Sequence, residues 1–115
     1  RSVVVLPDQH HVLTGCDDAA ARLWNLERGE CVRVLPHHAA VTDVACSSDG
    51  ELLLTNANGV VRVWTVLGSC IWVLDSSYVL QAQFLPGSHQ LLLVFANTTD
   101  LQIWRLSEAE PTLLR

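Results

Sequence analysis

The sequence lacks lysine and has no long apolar run. All seven of its cationic residues are arginines, and its net charge is −5 over 115 residues, the size of one domain. Binding to a phosphate backbone needs clustered positive charge, so an acidic chain with scattered arginines is a poor candidate for general nucleic-acid binding. Its apolar runs fall well short of the roughly 20 residues that span a bilayer, and the run at the start is too short for a signal-peptide core.

Methionine and paired cysteine motifs are also missing. Cys16, Cys31, Cys46 and Cys70 form no CxxC pair, which argues against a zinc finger or ribbon. The even count permits disulfides, but each cysteine lies within or beside an apolar run, so we predict reduced, buried thiols. Reduced thiols indicate an intracellular protein, cytoplasmic or nuclear. Because the chain begins at Arg1 and has no methionine, we expect it to be part of a longer polypeptide.

Motifs for catalysis are absent as well. There is no serine in a nucleophile elbow, no glycine-rich phosphate loop and no cysteine beside a marked base. The adjacent acids Asp17 and Asp18 have no evident second group to work with. We therefore expect Asp18 to cap a turn and Asp17 to face solvent, and we predict that the chain is not an enzyme and binds no cofactor.

Two histidine pairs, His10-His11 and His37-His38, could suggest a metal site. Adjacent residues of a strand point to opposite faces, so neither pair can easily chelate one ion. We predict a solvated turn for the first pair and a structural hydrogen bond for His37, and no metal site.

A repeat is the feature that the sequence does have. Trp24, Trp64 and Trp104 are spaced 40 residues apart. Each tryptophan closes the third of four short apolar runs, and turn residues separate the runs. In the second repeat these turns contain Ser48-Asp49-Gly50, Asn58-Gly59 and Leu67-Gly68-Ser69. Helical periodicity is absent, so the pattern predicts an all-β chain of three four-stranded antiparallel sheets.

These residues resemble WD40 repeats. The second repeat matches the start of the family pattern, and the first matches its end. The third is the most degenerate, and no repeat has the Trp-Asp dipeptide. The matching residues are His37, Val41, Val44, Cys46, Ser47, Ser48, Asp49 and Gly50; Thr14, Gly15, Cys16, Asp17, Asp18, Arg22, Leu23 and Trp24; and Val79, Ala82, Phe84, Pro86, Gly87 and Trp104.

The resemblance implies a β-propeller segment of three blades, at about 2–36, 37–75 and 76–115. It also implies a buried hydrogen-bond chain of His, Ser or Thr, Asp and Trp in each blade. The matching positions are His37, Thr55, Asn58 and Trp64 in the second repeat, and Thr14, Asp18 and Trp24 in the first. In the third, Thr98 stands where the Asp belongs, so we expect no such chain beside Trp104. Arg22 and Arg62 share one position and are expected to brace strands.

Propellers usually have 4 to 8 blades, so three cannot close a ring. Either the chain belongs to a larger propeller or several copies assemble; we expect further blades from the same polypeptide. The resemblance further implies that partner peptides bind the loops entering each first strand and leaving each second strand. The matching candidate residues are Asp17, Ala40, Thr42, Tyr78, Leu80 and Asn97.

The function predicted from this resemblance is a non-catalytic scaffold for protein–protein interactions within a larger protein or complex, with no membrane partner. Two alternatives stay open. One is the WD-repeat part of a ribonucleoprotein subunit that binds RNA, which the net charge of −5 disfavours for this segment. The other is the regulatory sensor region of a NACHT–WD-type signalling ATPase, whose phosphate loop would lie outside these residues.

Overall fold

Twelve strands in three antiparallel sheets form the fold of a computed structural model, which describes residues 2–75, 79–87, 89–95, 101–106 and 112–113. The first sheet contains β1 (Ser2–Val5), β2 (His11–Gly15), β3 (Ala20–Asn25) and β4 (Glu30–Pro36). The second contains β5 (Val41–Cys46), β6 (Leu52–Ala57), β7 (Val60–Thr65) and β8 (Cys70–Asp75). The third contains β9 (Val79–Phe84), β10 (Gln90–Phe95), β11 (Leu101–Arg105) and β12 (Thr112–Leu113).

The strands of each sheet pair in chain order, so each sheet is a meander of hairpins. The part of the chain that the structure describes contains no helix. The prediction of three four-stranded antiparallel sheets is therefore confirmed. The blade limits at 2–36, 37–75 and 76–115 stay predictions, because the pairing of strands does not by itself define where a repeat begins.

Turn chemistry sets the hairpins of the second sheet. Asn58 and Gly59 both have positive φ, 53° and 84°, as a two-residue type I′ turn requires. Gly50 and Gly68 also have positive φ, 75° and 96°, in the two other turns predicted from the sequence. Glycine adopts this conformation without steric cost, which explains its position in these loops.

The core lies between sheets. Side chains alternate across each strand, so one face of the first sheet packs on the second, and the opposite face of the second packs on the third. The cluster between the first two sheets includes Leu13, Leu23, Val44, Leu53 and Trp64. A second cluster, between the second and third sheets, includes Leu54, Val61, Val63, Leu91 and Leu93. Both faces of β6 are buried along its whole length.

Gly15 lies where the first two sheets approach each other closely. A Cβ atom built on it would stand 2.8 Å from Cγ1 of Val41 and 3.1 Å from the Val41 carbonyl oxygen. In the third sheet, β9 packs against β5 in the same way that β5 packs against β1. The sheets are thus stacked face to face through their inner strands.

Burial differs from the sequence prediction in two places. Trp64 is only 7% exposed because the first sheet covers it, whereas Trp24 faces away from the second sheet and is half-buried. Cys31 and Cys70, predicted to be buried, are exposed, and Cys16 and Cys46 are partly buried. The reason is position, since β4 and β8 are the last strands of their sheets and most of their side chains have no neighbouring strand to cover them. None of the four thiols forms a disulfide.

Candidate partner-binding loop edge

The two junctions between sheets are closed in the same way at one end. The backbone N–H of Val41, which begins β5, donates to the carbonyl of Cys16 after β2 at 3.0 Å. At the next junction, Nδ2 of Asn56 near the end of β6 lies 3.5 Å from the carbonyl oxygen of Val79, which begins β9. Each second strand therefore ends beside the start of the following first strand. This end of the sheets is called the loop edge below.

Four of the predicted partner-binding residues lie at the loop edge. Asp17 is exposed in the β2–β3 turn, and Ala40 is partly buried just before β5. Thr42 donates from Oγ1 to the Asn56 carbonyl at 3.2 Å, which joins β5 to β6. Leu80, on β9, is 62% exposed. The two remaining candidates, Tyr78 and Asn97, lie outside the described residues, as does Thr98.

Asp18 is the acceptor of a tight local cluster at this edge. Its Oδ1 accepts from the Ala20 N–H at 3.2 Å, and its two carboxylate oxygens accept from the two terminal nitrogens of Arg22 at 3.2 and 2.7 Å. The hydrogen bonds from Arg22 hold the pKa of Asp18 below its usual value. The bidentate pair fixes both the turn and the strand behind it. Arg22 thus braces this hairpin, and the neighbouring Asp17 is exposed.

The second sheet contains a buried chain of hydrogen bonds. The Trp64 indole donates to Thr55 Oγ1 at 3.1 Å, and Thr55 Oγ1 lies 2.7 Å from His37 Nε2. His37 Nδ1 lies 2.8 Å from the Leu35 carbonyl, so Nδ1 carries the proton and Nε2 accepts from Thr55. Burial lowers the pKa of His37, which keeps the ring neutral as this tautomer requires. His37 also packs on Trp64, with ring centroids 5.5 Å apart.

Asn58 was predicted to occupy the aspartate position in this chain, and the structure places it elsewhere. It is an exposed residue of the type I′ turn. The buried amide is that of Asn56, whose Oδ1 accepts from the Gly59 N–H at 3.1 Å. The physical reason is length, since the β6–β7 turn has only two residues and needs Asn58 for its backbone conformation.

Arg62 differs from Arg22 in its surroundings. Thr14 pairs with Arg22 and Thr55 pairs with Arg62, so the two arginines are equivalent. Arg22 has the Asp18 carboxylate as partner, whereas one terminal nitrogen of Arg62 is buried without a hydrogen-bond partner. Asn58, which precedes Arg62 by four residues as Asp18 precedes Arg22, has no carboxylate to offer.

In the first sheet, the chain of hydrogen bonds that starts at the tryptophan indole is shorter. Trp24 Nε1 donates to Thr14 Oγ1 at 3.0 Å, and Thr14 Oγ1 lies 3.5 Å from the Arg22 carbonyl. Asp18 is engaged with Arg22 and not with this pair. The predicted set Thr14, Asp18 and Trp24 is therefore divided between two small clusters.

In the third sheet, a different side chain accepts the hydrogen bond from the tryptophan indole. Leu93 takes the position of Thr14 and Thr55, and Gln102 takes that of Arg22 and Arg62. Trp104 Nε1 donates to Gln102 Oε1 at 3.0 Å, and the Trp72 ring packs on Trp104 with centroids 5.3 Å apart. An amide two residues before the tryptophan thus replaces the threonine of the other sheets. This difference is visible in the sequence, because Leu93 replaces the threonine and Gln102 replaces the arginine of the other two repeats.

A model of the WD domain, G-beta repeat (WD40) family matches residues 1–25 and 29–65, more than half of the chain. The chain belongs to the WD40 family. It is 42% identical over 60 residues to eukaryotic translation initiation factor 3 subunit I of Scheffersomyces stipitis, covering 52% of this chain and 17% of that protein. It is 28% identical over 117 residues to pre-mRNA-processing factor 19 of Bos taurus, covering 93% of this chain and 22% of that protein. The chain thus spans less than a quarter of these relatives.

Solved structures show the same WD40 fold. The β-propeller domain of Cps50 (Swd1) from Myceliophteria thermophila superposes with a TM-score of 0.85 at 20% identity, over 97% of this chain and 36% of that one. The RRP9 WD40 repeats superpose with a TM-score of 0.82 at 23% identity, over 96% of this chain and 36% of that one. Each four-stranded sheet is therefore one WD40 propeller blade, and the prediction of a propeller segment is confirmed. WD40 propellers are generally non-catalytic scaffolds.

The end of the blades opposite the loop edge holds a cluster that the sequence analysis did not single out. Asp49 accepts from Ser47 Oγ at 2.6 Å and from the Glu51 N–H at 3.0 Å, and its second oxygen lies 2.7 Å from His89 Nε2 in the third blade. These hydrogen bonds, that of Ser47 first, lower the pKa of Asp49 to about 2. With the Glu51 carboxylate nearby, Asp49 and His89 place three possible metal ligands within 4.8 Å of one another.

The two histidine pairs are split between different contacts. His10 Nδ1 lies 3.1 Å from Glu27, and His11 Nδ1 lies 2.7 Å from Asp8. His37 is part of the Trp64 chain, and His38 is exposed. Each member of a pair therefore has its own surroundings, although neither pair lies within a strand. Within the described residues, no helix is long and apolar enough to cross a membrane.

Proposed function

We propose that this chain is a non-catalytic scaffold segment whose loop edge binds other proteins. Asp17, Thr42 and Leu80 are exposed on an edge whose backbone is fixed by hydrogen bonds between neighbouring blades. A rigid backbone with exposed, chemically mixed side chains loses little conformational entropy when a partner binds. This arrangement is the observation that carries the proposal.

The proposal includes further blades beside the first. On the outward face of that blade, Val3 is 66% and Val5 is 55% exposed, and Trp24 is only half-buried. The equivalent face of the second blade is covered by the first, through Val44, Leu53 and Trp64. An apolar face of this composition favours contact with another blade of the same polypeptide over exposure to water.

We also propose an intracellular location, cytoplasmic or nuclear. The relatives are named for translation initiation and pre-mRNA processing, which take place inside cells. Two exposed free thiols, Cys31 and Cys70, suit a reducing compartment. The names of the relatives also keep the RNA-binding alternative open, and the net charge of −5 weighs against it for these residues.

Quantitative affinity purification of the intact protein tests the proposal. The double variant Asp17→Arg, Leu80→Glu changes two exposed side chains of the loop edge. Val34→Lys, on the exposed outer strand β4, is the matched control. We expect the double variant to lose a defined subset of bound proteins that the control retains, with both variants folded by circular dichroism. Equal partner sets would contradict the proposal, as would RNA-dependent recovery of every partner.

A further inference from the structure

The outermost strands β4 and β8 differ in how their open edges are protected. β4 carries Glu30, Arg33 and Pro36, and charges and proline are the usual means of preventing another strand from pairing with an edge. β8, with the sequence CIWVLD, has no charge or proline before its last residue, Asp75. Within the described residues β8 pairs only with β7, so its other edge presents backbone N–H and C=O groups.

Apolar side chains line this edge on the side of the first blade. Val73 pairs with Arg62, whose face is turned toward the first blade, and it is 49% exposed. Ile71, beside the bulge of β8, is equally exposed, and Leu67 in the preceding turn is 73% exposed. We call Leu67, Ile71, Val73 and Asp75 the β8 rim. It lies on the outer strand and contains none of the loop-edge candidates Asp17, Thr42 and Leu80, although Asp75 is at the same end of the sheet as the loop edge.

Opposite charges stand at the two ends of the β8 rim. Asp75 ends the strand. At its start, Arg33 of the first blade lies over the β7–β8 turn, with Cδ 3.5 Å from the position of a Cβ on Gly68. A strand pairing antiparallel with β8 would begin beside Asp75 and end beside Arg33. For an antiparallel strand, the charges therefore favour a basic residue first and an acidic residue last.

We propose that the β8 rim binds an extended peptide by antiparallel strand addition. The peptide has a basic residue at its N-terminal end, β-branched residues at alternate positions and an acidic residue at its C-terminal end. The backbone hydrogen bonds of the added strand provide affinity, and the contacts with Val73 and Ile71 provide selectivity. The basic residue faces Asp75, and the acidic residue faces Arg33.

A second copy of the chain is a less suitable occupant. A six-residue strand spans about 20 Å, and edge-to-edge pairing of two such strands buries much less than the roughly 800 Å² per partner of a stable interface. Each copy also has a net charge of −5, which adds repulsion. A flexible peptide has neither restriction, because it can adapt to the β8 rim and can carry charges that complement Asp75 and Arg33.

The test uses a fluorescent heptapeptide, Arg-Thr-Val-Thr-Val-Thr-Glu, and measures fluorescence anisotropy with the intact protein. When the first residue lies opposite Asp75, the two valines share a face with Val73 and Ile71, and the glutamate reaches the turn beside Arg33. The control peptide, Glu-Thr-Val-Thr-Val-Thr-Arg, has the same composition with its charges exchanged. We expect the first peptide to bind about tenfold more tightly, and hydrogen exchange to slow at the amides of residues 70–75.

Matched variants locate the site. Val73→Lys should weaken binding of the first peptide about tenfold, whereas Val34→Lys, at the equivalent position of β4 and similarly exposed, should leave it unchanged. Asp75→Arg should abolish the preference between the two peptides, because both ends of the β8 rim are then basic and each peptide has one favourable and one unfavourable end. Equal binding of both peptides, no binding at millimolar peptide, equal effects of the two lysine variants, or a dimer that involves β8 would each overturn the proposal. Loop-edge variants should not affect peptide binding, so this result and that for the loop edge are independent.

Discussion

Trp104 donates its indole hydrogen to Gln102 in the third blade, at 3.0 Å, in place of the threonine that Trp64 uses in the second. Gln102 and Leu93 are cross-strand partners, so the acceptor that the threonine provides in the other blades is provided here from the neighbouring strand, where those blades have an arginine. The indole keeps a partner although the family pattern is lost. The degenerate third repeat is thus stabilised by a compensating pair.

Replacing Gln102 by leucine should lower the free energy of unfolding by about 1 kcal/mol, because a partly buried indole N–H loses its acceptor. Leu93 is fully buried, so Leu93→Thr alone should also cost stability. The double variant Gln102→Leu, Leu93→Thr should lose less than the sum of the two single variants, since threonine restores the acceptor at the position used in the second blade. Urea unfolding followed by tryptophan fluorescence measures both. If the losses of the two single variants simply add in the double variant, the two positions do not compensate for one another.

Replacing Thr55 by valine should cost more, about 2–3 kcal/mol, because the change leaves both the Trp64 N–H and Nε2 of the partly buried His37 without a partner. Thr14→Val is the matched control, since Trp24 is half-buried and can bond to water. Urea unfolding should show the larger shift for Thr55→Val. A larger shift for the control would show that the chain of the second blade adds little stability.

Gly15→Ala should weaken the junction between the first and second blades by about 1–3 kcal/mol, because the new methyl group would meet Val41 Cγ1 at 2.8 Å. Adding Val41→Ala removes that contact but not the one with the Val41 carbonyl, at 3.1 Å. The double variant should therefore be less affected than the sum of the two single variants. Thermal unfolding of all three measures this coupling, and additive losses would argue against the close approach.

The Asp49 carboxylate should make stability depend on acid pH. Its folded pKa of about 2 lies below the ordinary 3.8, so the unfolded chain binds a proton more readily. The contribution is complete above about pH 4 and is lost as the pH falls toward 2. Asp49→Asn should remove this part of the dependence between pH 5 and 2, measured by urea unfolding at each pH. An unchanged slope for the variant would mean that the Ser47 and His89 contacts do not hold the carboxylate.

The sequence was sufficient for the features that local chemistry determines. Turn residues such as Asn58-Gly59 and the recurring tryptophans predicted the number of strands and sheets, because loop conformation and strand alternation depend on neighbours in the chain. It was not sufficient where a residue's role depends on another blade. Burial of Trp64 but not of Trp24 depends on which sheet lies opposite, and the exposure of Cys31 depends on β4 being outermost.

For the candidate sites too, the sequence predicted what depends on neighbouring residues and missed what depends on another blade. Alignment to the family pattern identified Thr55 and His37 as members of one hydrogen-bond chain, and the structure shows that chain. Alignment also put Asn58 in that chain, where the shorter turn prevents it from acting. The Asp49–His89 contact joins residues 40 apart in different blades, and a single sequence has no local pattern that shows such a pair.

The structure of the intact protein, determined by electron cryomicroscopy, is the most direct test of the central claim that this chain contributes three blades to a larger WD40 propeller scaffold. The account predicts a further four-stranded sheet against Val3, Val5 and Trp24, with Asp17, Thr42 and Leu80 left open at the loop edge. A structure in which the Trp24 face is in solvent, or in which the polypeptide's other segments cover the loop edge, would contradict it.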